Sequence, residues 1–126
     1  MTPVLVDTDI LINFLRGRDA AKNFLLSKIE DGPILCSVIT VAEIFAGMRP
    51  QEEARTKALL DSLELVDVSR PVAEKAGRYK NGVTSHYLEL DDCLIAATAY
   101  IHQAELATGN IKHYPMDDIR KIAVTG

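Results

Sequence analysis

Residues 1–17 read MTPVLVDTDILINFLRG, and the step from VLV to DTD decides how the rest is read. Val4 to Val6 form a short apolar run suited to a buried strand, and Asp7 stands at its carboxyl end. Thr8 or Asp9 then suits the N-cap of a helix carrying Ile10, Leu11, Phe14 and Leu15. A strand that ends on a carboxylate before a helix leaves three readings open. Asp7 can ligate a cation, attack a phosphoryl group, or simply occupy a solvated turn.

The same strand-then-helix rhythm continues downstream. In GRDAAKNFLLSKIEDG, Ala21, Phe24, Leu25 and Ile29 recur at helical spacing and Gly32 is a stop signal. Residues 33–37 make a second short apolar run, after which Thr40 fits the cap of a helix ending near Pro50. Ala54, Ala58, Leu59 and Leu63 predict an amphipathic helix over QEEARTKALLDSLE. Residues 65–68 read as a strand, and Pro71 suits the first turn of a helix reaching about Asn81. LDDCLIAATAYIHQA is apolar around most of its circumference from Leu94 to Ile101, so it is expected to be covered on more than one side. Glu105 to Thr108 and Ile122 to Val124 complete the strands, with a polar turn at Gly109 and Asn110. Short apolar strands alternating with helices predict an α/β layered domain with a small, mainly parallel sheet flanked by helices.

A chain of 126 residues with 48% apolar content suits one domain, residues 1–126, with an ordinary core. No apolar run approaches the roughly 18 residues of a membrane span, and no secretion signal is visible. Cys36 and Cys93 sit in apolar segments without a metal or disulfide pattern, which suits buried free thiols and a cytoplasmic protein. The net charge of −4, from 18 acidic and 14 basic residues, argues weakly against nucleic acid. That objection shrinks if several acids converge on one point and are neutralised there by divalent ions.

Ligands of open parallel sheets gather beyond the carboxyl ends of the strands, where Asp7 lies. Asp9 reads first as a helix-start residue, favoured by the free backbone N–H groups. Glu43 fits a capping box with Thr40, yet the same position aims a carboxylate at the crevice. Asp91 and Asp92 both favour the dipole of the helix they open. Successive helical residues differ by about 100°, so only one of them points inward. Asp92 shares its stripe with Ile95, Ala96 and Ala99 and is the expected inward carboxylate, with Asp91 on the rim. Asn110 follows the strand ELAT, and its amide oxygen could ligate a hard cation. His86, His102 and His113 show no metal-ligand spacing, and no glycine-rich phosphate loop is present.

VLVDTDILINFLRG, TVAEIFAGMR and DDCLIAATAYIHQAELATGNIKHY, in this order, resemble the PIN-domain family, and most closely its toxin ribonucleases of the VapC type. The resemblance spans almost the whole chain and implies a PIN-like three-layer fold. It places the family's acidic site on Asp7, Glu43 and Asp92, with Thr8, Asp9 and Thr108 in support. The fourth position, where the family often has Asp, is Asn110, a neutral and weaker ligand; Asp117 or Asp118 could compensate. The implied cofactor is Mg²⁺ or Mn²⁺, one or two ions on an all-oxygen ligand set. The implied activity is endonucleolytic hydrolysis of RNA by a metal-activated water, leaving a 5′ phosphate and a 3′ hydroxyl.

Arg16, Arg18, Arg49 and Lys112 lie close in sequence to the acidic segments and are candidates for RNA phosphates, with a solvated surface as their alternative role. The resemblance further implies a VapB-type antitoxin whose tail blocks the pocket, and a homodimer. Two competing readings stand beside it. DTDIL resembles the start of haloacid-dehalogenase phosphatases, with Asp7 as nucleophile, although Leu11 occupies their Thr/Val position. A non-catalytic PIN-fold binding protein would explain Asn110, but not the retention of three mutually repelling carboxylates.

Overall fold

Five short strands form one sheet in which residues 64–66, 34–37, 4–6, 105–108 and 121–123 lie side by side in that order, and every pairing is parallel. The computed structural model describes residues 2–83 and 88–125, so His86 lies outside the described residues. The first half of the chain runs β1 (Val4–Val6), α1 (Thr8–Leu15), α2 (Asp19–Ile29), β2 (Ile34–Ser37), α3 (Val38–Gly47) and α4 (Glu53–Asp61). It continues with β3 (Glu64–Val66), α5 (Arg70–Gly82), α6 (Leu90–Ile101), β4 (Glu105–Thr108) and β5 (Lys121–Ala123). Single turns of 3-10 helix cover Pro50–Glu52 and Ile111–His113.

Alternation along β1 sorts the core into two layers. Val4 and Val6 point to one face, where Ile10, Leu11, Leu25, Ile44 and Leu60 of α1 to α4 cover them. Leu5 points to the other face, under Val72 and Ala76 of α5 and Ile95, Ala96 and Ala99 of α6. The near-continuous apolar stretch of α6 is explained by this layer: Cys93 and residues 95–99 are all buried. Both cysteines are free and buried, and no described helix is long and apolar enough to cross a membrane.

Three local expectations are corrected. Helix α1 is capped by Asp7, not by Thr8 or Asp9: the Asp7 carboxylate accepts from the Thr8 N–H. Helix α3 begins directly at the end of β2, so Ser37 caps it, accepting from the Ile39 N–H at 3.0 Å. Thr40 is therefore inside the first turn and fully buried, and the capping box with Glu43 does not form. Helix α4 buries Thr56 and Leu60 and leaves Ala54 and Ala58 exposed. Alanines carry too little surface to dictate a face. Leu60 is buried and the expected Leu59 and Leu63 pack, partly buried, against the same core, while the Thr56 hydroxyl is satisfied by the Glu52 carbonyl at 2.9 Å.

The strand order places β1 at the switch point. The chain builds outward from β1 through β2 to β3, then returns to pair β4 on the opposite side of β1. The crevice beyond the carboxyl ends of β1 and β4 is therefore the expected place for a ligand in such a sheet. Residues 109–120 join β4 to β5 without an α-helix. They are held down by Asp118, which accepts from Lys75 Nζ and from the Tyr79 hydroxyl, each at 2.7 Å.

Candidate active site

Asp7 leaves β1 at that switch point and is only 7% exposed. Its Oδ1 accepts from the Thr8 N–H at 2.7 Å and its Oδ2 accepts from the Thr108 hydroxyl, at the end of β4, at 2.8 Å. Thr108 Oγ1 in turn accepts from the Asn110 N–H at 3.0 Å. One carboxylate thus ties the two central strands together and sets the start of the Asn110 turn.

Glu43, relieved of capping, reaches across to α1. Its Oε1 lies 2.5 Å from Thr8 Oγ1, which also lies 3.0 Å from Thr40 Oγ1. Thr8 has one hydroxyl proton, and the carboxylate is the stronger acceptor for it. Burial raises the Glu43 carboxyl above its ordinary range; the Thr8 bond opposes this, while the charges of Asp91, Asp7 and Asp92 add to it.

Asp92 takes the inward position that its phase on the helix predicts, with a side chain 19% exposed, while Asp91 is exposed on the rim. Its carboxyl is also raised, by burial first and then by the charge of Asp7. The buried Tyr114 hydroxyl approaches Asp92 Oδ1 at 3.4 Å, and His113 Nδ1 stands 3.8 Å from Oδ2. Sequence reading missed both residues. The only signal for them was their place just after Asn110, in a stretch with no periodicity.

Asp9 is not a helix cap. Its Oδ2 accepts from the Gly109 N–H at 3.0 Å, and its Oδ1 is buried without a partner among the described residues. Burial and the charge of Asp7 raise its carboxyl above the ordinary range. Gly109 is required by this approach, since a Cβ there would stand 2.7 Å from Asp9 Oδ2 and 3.3 Å from the Val124 carbonyl. Gly109→Ala is accordingly expected to destabilise the fold by about 1–3 kcal/mol, measurable as a lowered denaturation midpoint. Asp118 is held by Lys75 and Tyr79, outside this cluster, so it does not compensate for Asn110. Asp117 is exposed.

Arg16 and Arg49 line a groove of about 400 Å³ that runs from Glu43 between α1, α3 and α4. Arg55 joins them there, its guanidinium donating to the Leu15 carbonyl at 2.8 Å, and was not singled out from the sequence. Arg18 and Lys112 are exposed and lie outside this groove.

Among the described residues, no Lys or Arg forms an ion pair with Asp7, Glu43 or Asp92. No three acidic, histidine or cysteine side chains among the described residues are grouped so as to chelate one ion directly. The donor set nevertheless fits a hard divalent cation. It is all oxygen, the charge of Asp7 adds to the proton affinity of both Glu43 and Asp92, and a hard ion that keeps several waters can reach carboxylates through them.

Residues 4–119 match the PIN domain family. Ribonuclease VapC10 of Mycobacterium tuberculosis H37Rv is 40% identical over 117 residues, spanning 90% of this chain and 86% of that protein. A solved toxin–antitoxin complex from Klebsiella pneumoniae contains a chain with 32% identity and a TM-score of 0.77, covering 92% of this chain and 94% of its own. VapBC2 from Rickettsia felis, solved on a fragment of promoter DNA, shares the fold at a TM-score of 0.81 with 22% identity, covering 97% of this chain and 98% of its own. The chain belongs to the PIN-domain family, in its VapC group. The phosphatase reading of DTDIL is thereby set aside.

Proposed function

We propose that this chain is a divalent-metal-dependent endoribonuclease, the toxin of a VapBC-type toxin–antitoxin pair acting in the cytoplasm. The observation that carries the reading is the convergence of Asp7, Glu43 and Asp92 at the switch point with no described Lys or Arg to neutralise them. Mg²⁺ or Mn²⁺, as one or two ions, suits these oxygens together with the weaker Asn110. Asp7, Glu43 and Asp92 would hold such an ion, which would supply a water of lowered pKa and offset negative charge on the phosphate.

The chain's own residues then have distinct tasks. Thr108 and the Thr8 N–H hold the two oxygens of Asp7, the Thr8 hydroxyl turns Glu43 inward, and Tyr114 approaches Asp92 from beneath. Asp9 tethers the Gly109 turn from which Asn110 projects. Arg16, Arg49 and Arg55 offer phosphate contacts along the groove leading to Glu43, which makes RNA affinity fall with salt; Arg18 and Lys112 are candidates for more distant phosphates. A VapB-type antitoxin is the proposed partner, supported by the toxin–antitoxin complex that holds the Klebsiella relative. A homodimer and a single domain over residues 1–126 complete the proposal.

The test is incubation of antitoxin-free protein with a mixture of structured RNAs, with Mn²⁺, with Mg²⁺ and with chelator. Internal cuts bearing 5′ phosphates that vanish with chelator are expected. Cleavage that survives chelation, or a folded protein that neither binds metal nor cuts, overturns the proposal.

A further inference from the structure

We infer that His113 is a positioning residue: it fixes the Asn110 amide so that the oxygen, and not the nitrogen, is left available as a ligand. The inference rests on the proposed metal site and concerns the one position where a neutral amide replaces a carboxylate. Asn110 precedes the 3-10 turn Ile111–His113, which is closed by the His113 N–H donating to the Asn110 carbonyl at 3.1 Å. In so tight a turn, side chains three residues apart lie one above the other. The two therefore meet, with Asn110 Nδ2 at 3.0 Å from His113 Nε2.

The contact itself sets the orientation of both groups. With the amide nitrogen facing it, His113 Nε2 takes the acceptor's part. The other ring nitrogen, Nδ1, stands 3.8 Å from Asp92 Oδ2, an electrostatic contact beyond hydrogen-bond range. The amide oxygen is the atom left over. Without this bond the amide is free to turn over and present NH₂, which repels a cation. An aspartate at the same position has two equivalent oxygens and needs no such partner. Asn110 and His113 thus act as a pair.

The experiment compares Mn²⁺ affinity, by titration calorimetry, across the wild type, His113→Ala, His113→Gln, Asn110→Ala, Asn110→Asp and the double variant Asn110→Asp/His113→Ala. His113 is 58% exposed in its side chain, so its replacement leaves the core untouched, and circular dichroism melts verify this. In the natural background His113→Ala is expected to weaken Mn²⁺ binding about tenfold, the usual effect of losing a group that orients a metal ligand. His113→Gln, whose amide oxygen can accept the same N–H, is expected to restore most of the affinity. In the Asn110→Asp background the loss of His113 is expected to change affinity by less than about twofold, within ordinary additivity.

Equal losses in the two backgrounds would overturn the inference, because His113 would then act through Asp92 or the backbone. No loss in the natural background would overturn it as well. Asn110→Ala with undiminished Mn²⁺ affinity would remove Asn110 from the ligand set and this inference with it, leaving the nuclease reading intact. Failure of the wild type to bind Mn²⁺ would instead count against the nuclease reading itself.

Discussion

Asp92→Asn is expected to slow RNA cleavage about a thousandfold, or roughly 4 kcal/mol of transition-state stabilisation, without weakening the fold. Asparagine matches aspartate in volume, and its amide oxygen can still receive the Tyr114 hydroxyl. What disappears is one of the three negative charges that gather at the carboxyl ends of the central strands. Glu43→Gln is expected to act similarly, because the Thr8 bond survives while the charge is lost. Asp9→Asn serves as the contrast and is expected to cost about tenfold or less, the scale of a supporting contact. Its remaining oxygen can accept from Gly109, so the Asn110 turn stays in place. Single-turnover cleavage of one structured RNA, read beside thermal melts of each variant, separates the cases. Asp92→Asn and Asp9→Asn falling to the same degree would contradict these assignments.

The second large effect concerns stability. Asp9, Glu43 and Asp92 all hold their protons more tightly in the fold than in the unfolded chain, with burial as the largest cause and the charge of Asp7 contributing to each. The folded state therefore binds more protons than the unfolded state above the ordinary carboxylate range. Through these groups, stability falls as pH rises through their raised values. Metal-free protein is thus expected to melt higher as pH is lowered from about 7 towards 5. Asp118 moves the other way: burial would raise it, but the bonds from Lys75 and Tyr79 outweigh burial and lower it. Its contribution is lost only below the ordinary value near 4, outside that window.

A divalent ion bound among these carboxylates is expected to remove the same repulsion at neutral pH. Mn²⁺ at a hundred times its dissociation constant contributes about 2.7 kcal/mol, which for a domain of this size raises the melting midpoint by roughly 10 °C. The gain is expected to shrink near pH 5, where protonated carboxylates no longer ligate. Differential scanning fluorimetry over pH, with Mn²⁺ and with chelator, checks both signs. A midpoint that neither rises on acidification nor responds to metal would contradict this account of the carboxylates.

Much of this architecture is legible in short stretches. The apolar run before Asp7, the phase of Asp92 against Ile95 and Ala99, and the strand ELAT before Asn110 are local patterns, and local patterns survive into the fold. What escaped reading depends on where one element stops against another. Ser37 and Thr40 are both good caps, and only the end of β2 decides between them. Glu43 fitted a capping box as well as the crevice for that reason, and it reaches Thr8 instead of capping. The tether from Asp9 to Gly109 crosses a hundred residues of sequence, and no spacing rule reports it. Tyr114 and His113 arrive on a segment too short for periodicity, and Arg55 comes from a helix whose buried face its alanines disguised.

The pairing of β1 with β4 also dictates the order of events in synthesis. Val4 lies beside Glu105 and Val6 beside Ala107, so β1 waits for a strand that is made far later. Contacts this distant in sequence close slowly, and until they close one edge of β1 offers its bare backbone to any neighbouring chain. A nascent chain halted before β4 carries Asp7, Glu43 and Asp92 with no crevice to gather them. Cleavage of RNA is thus expected only after residues 105–108 have been made.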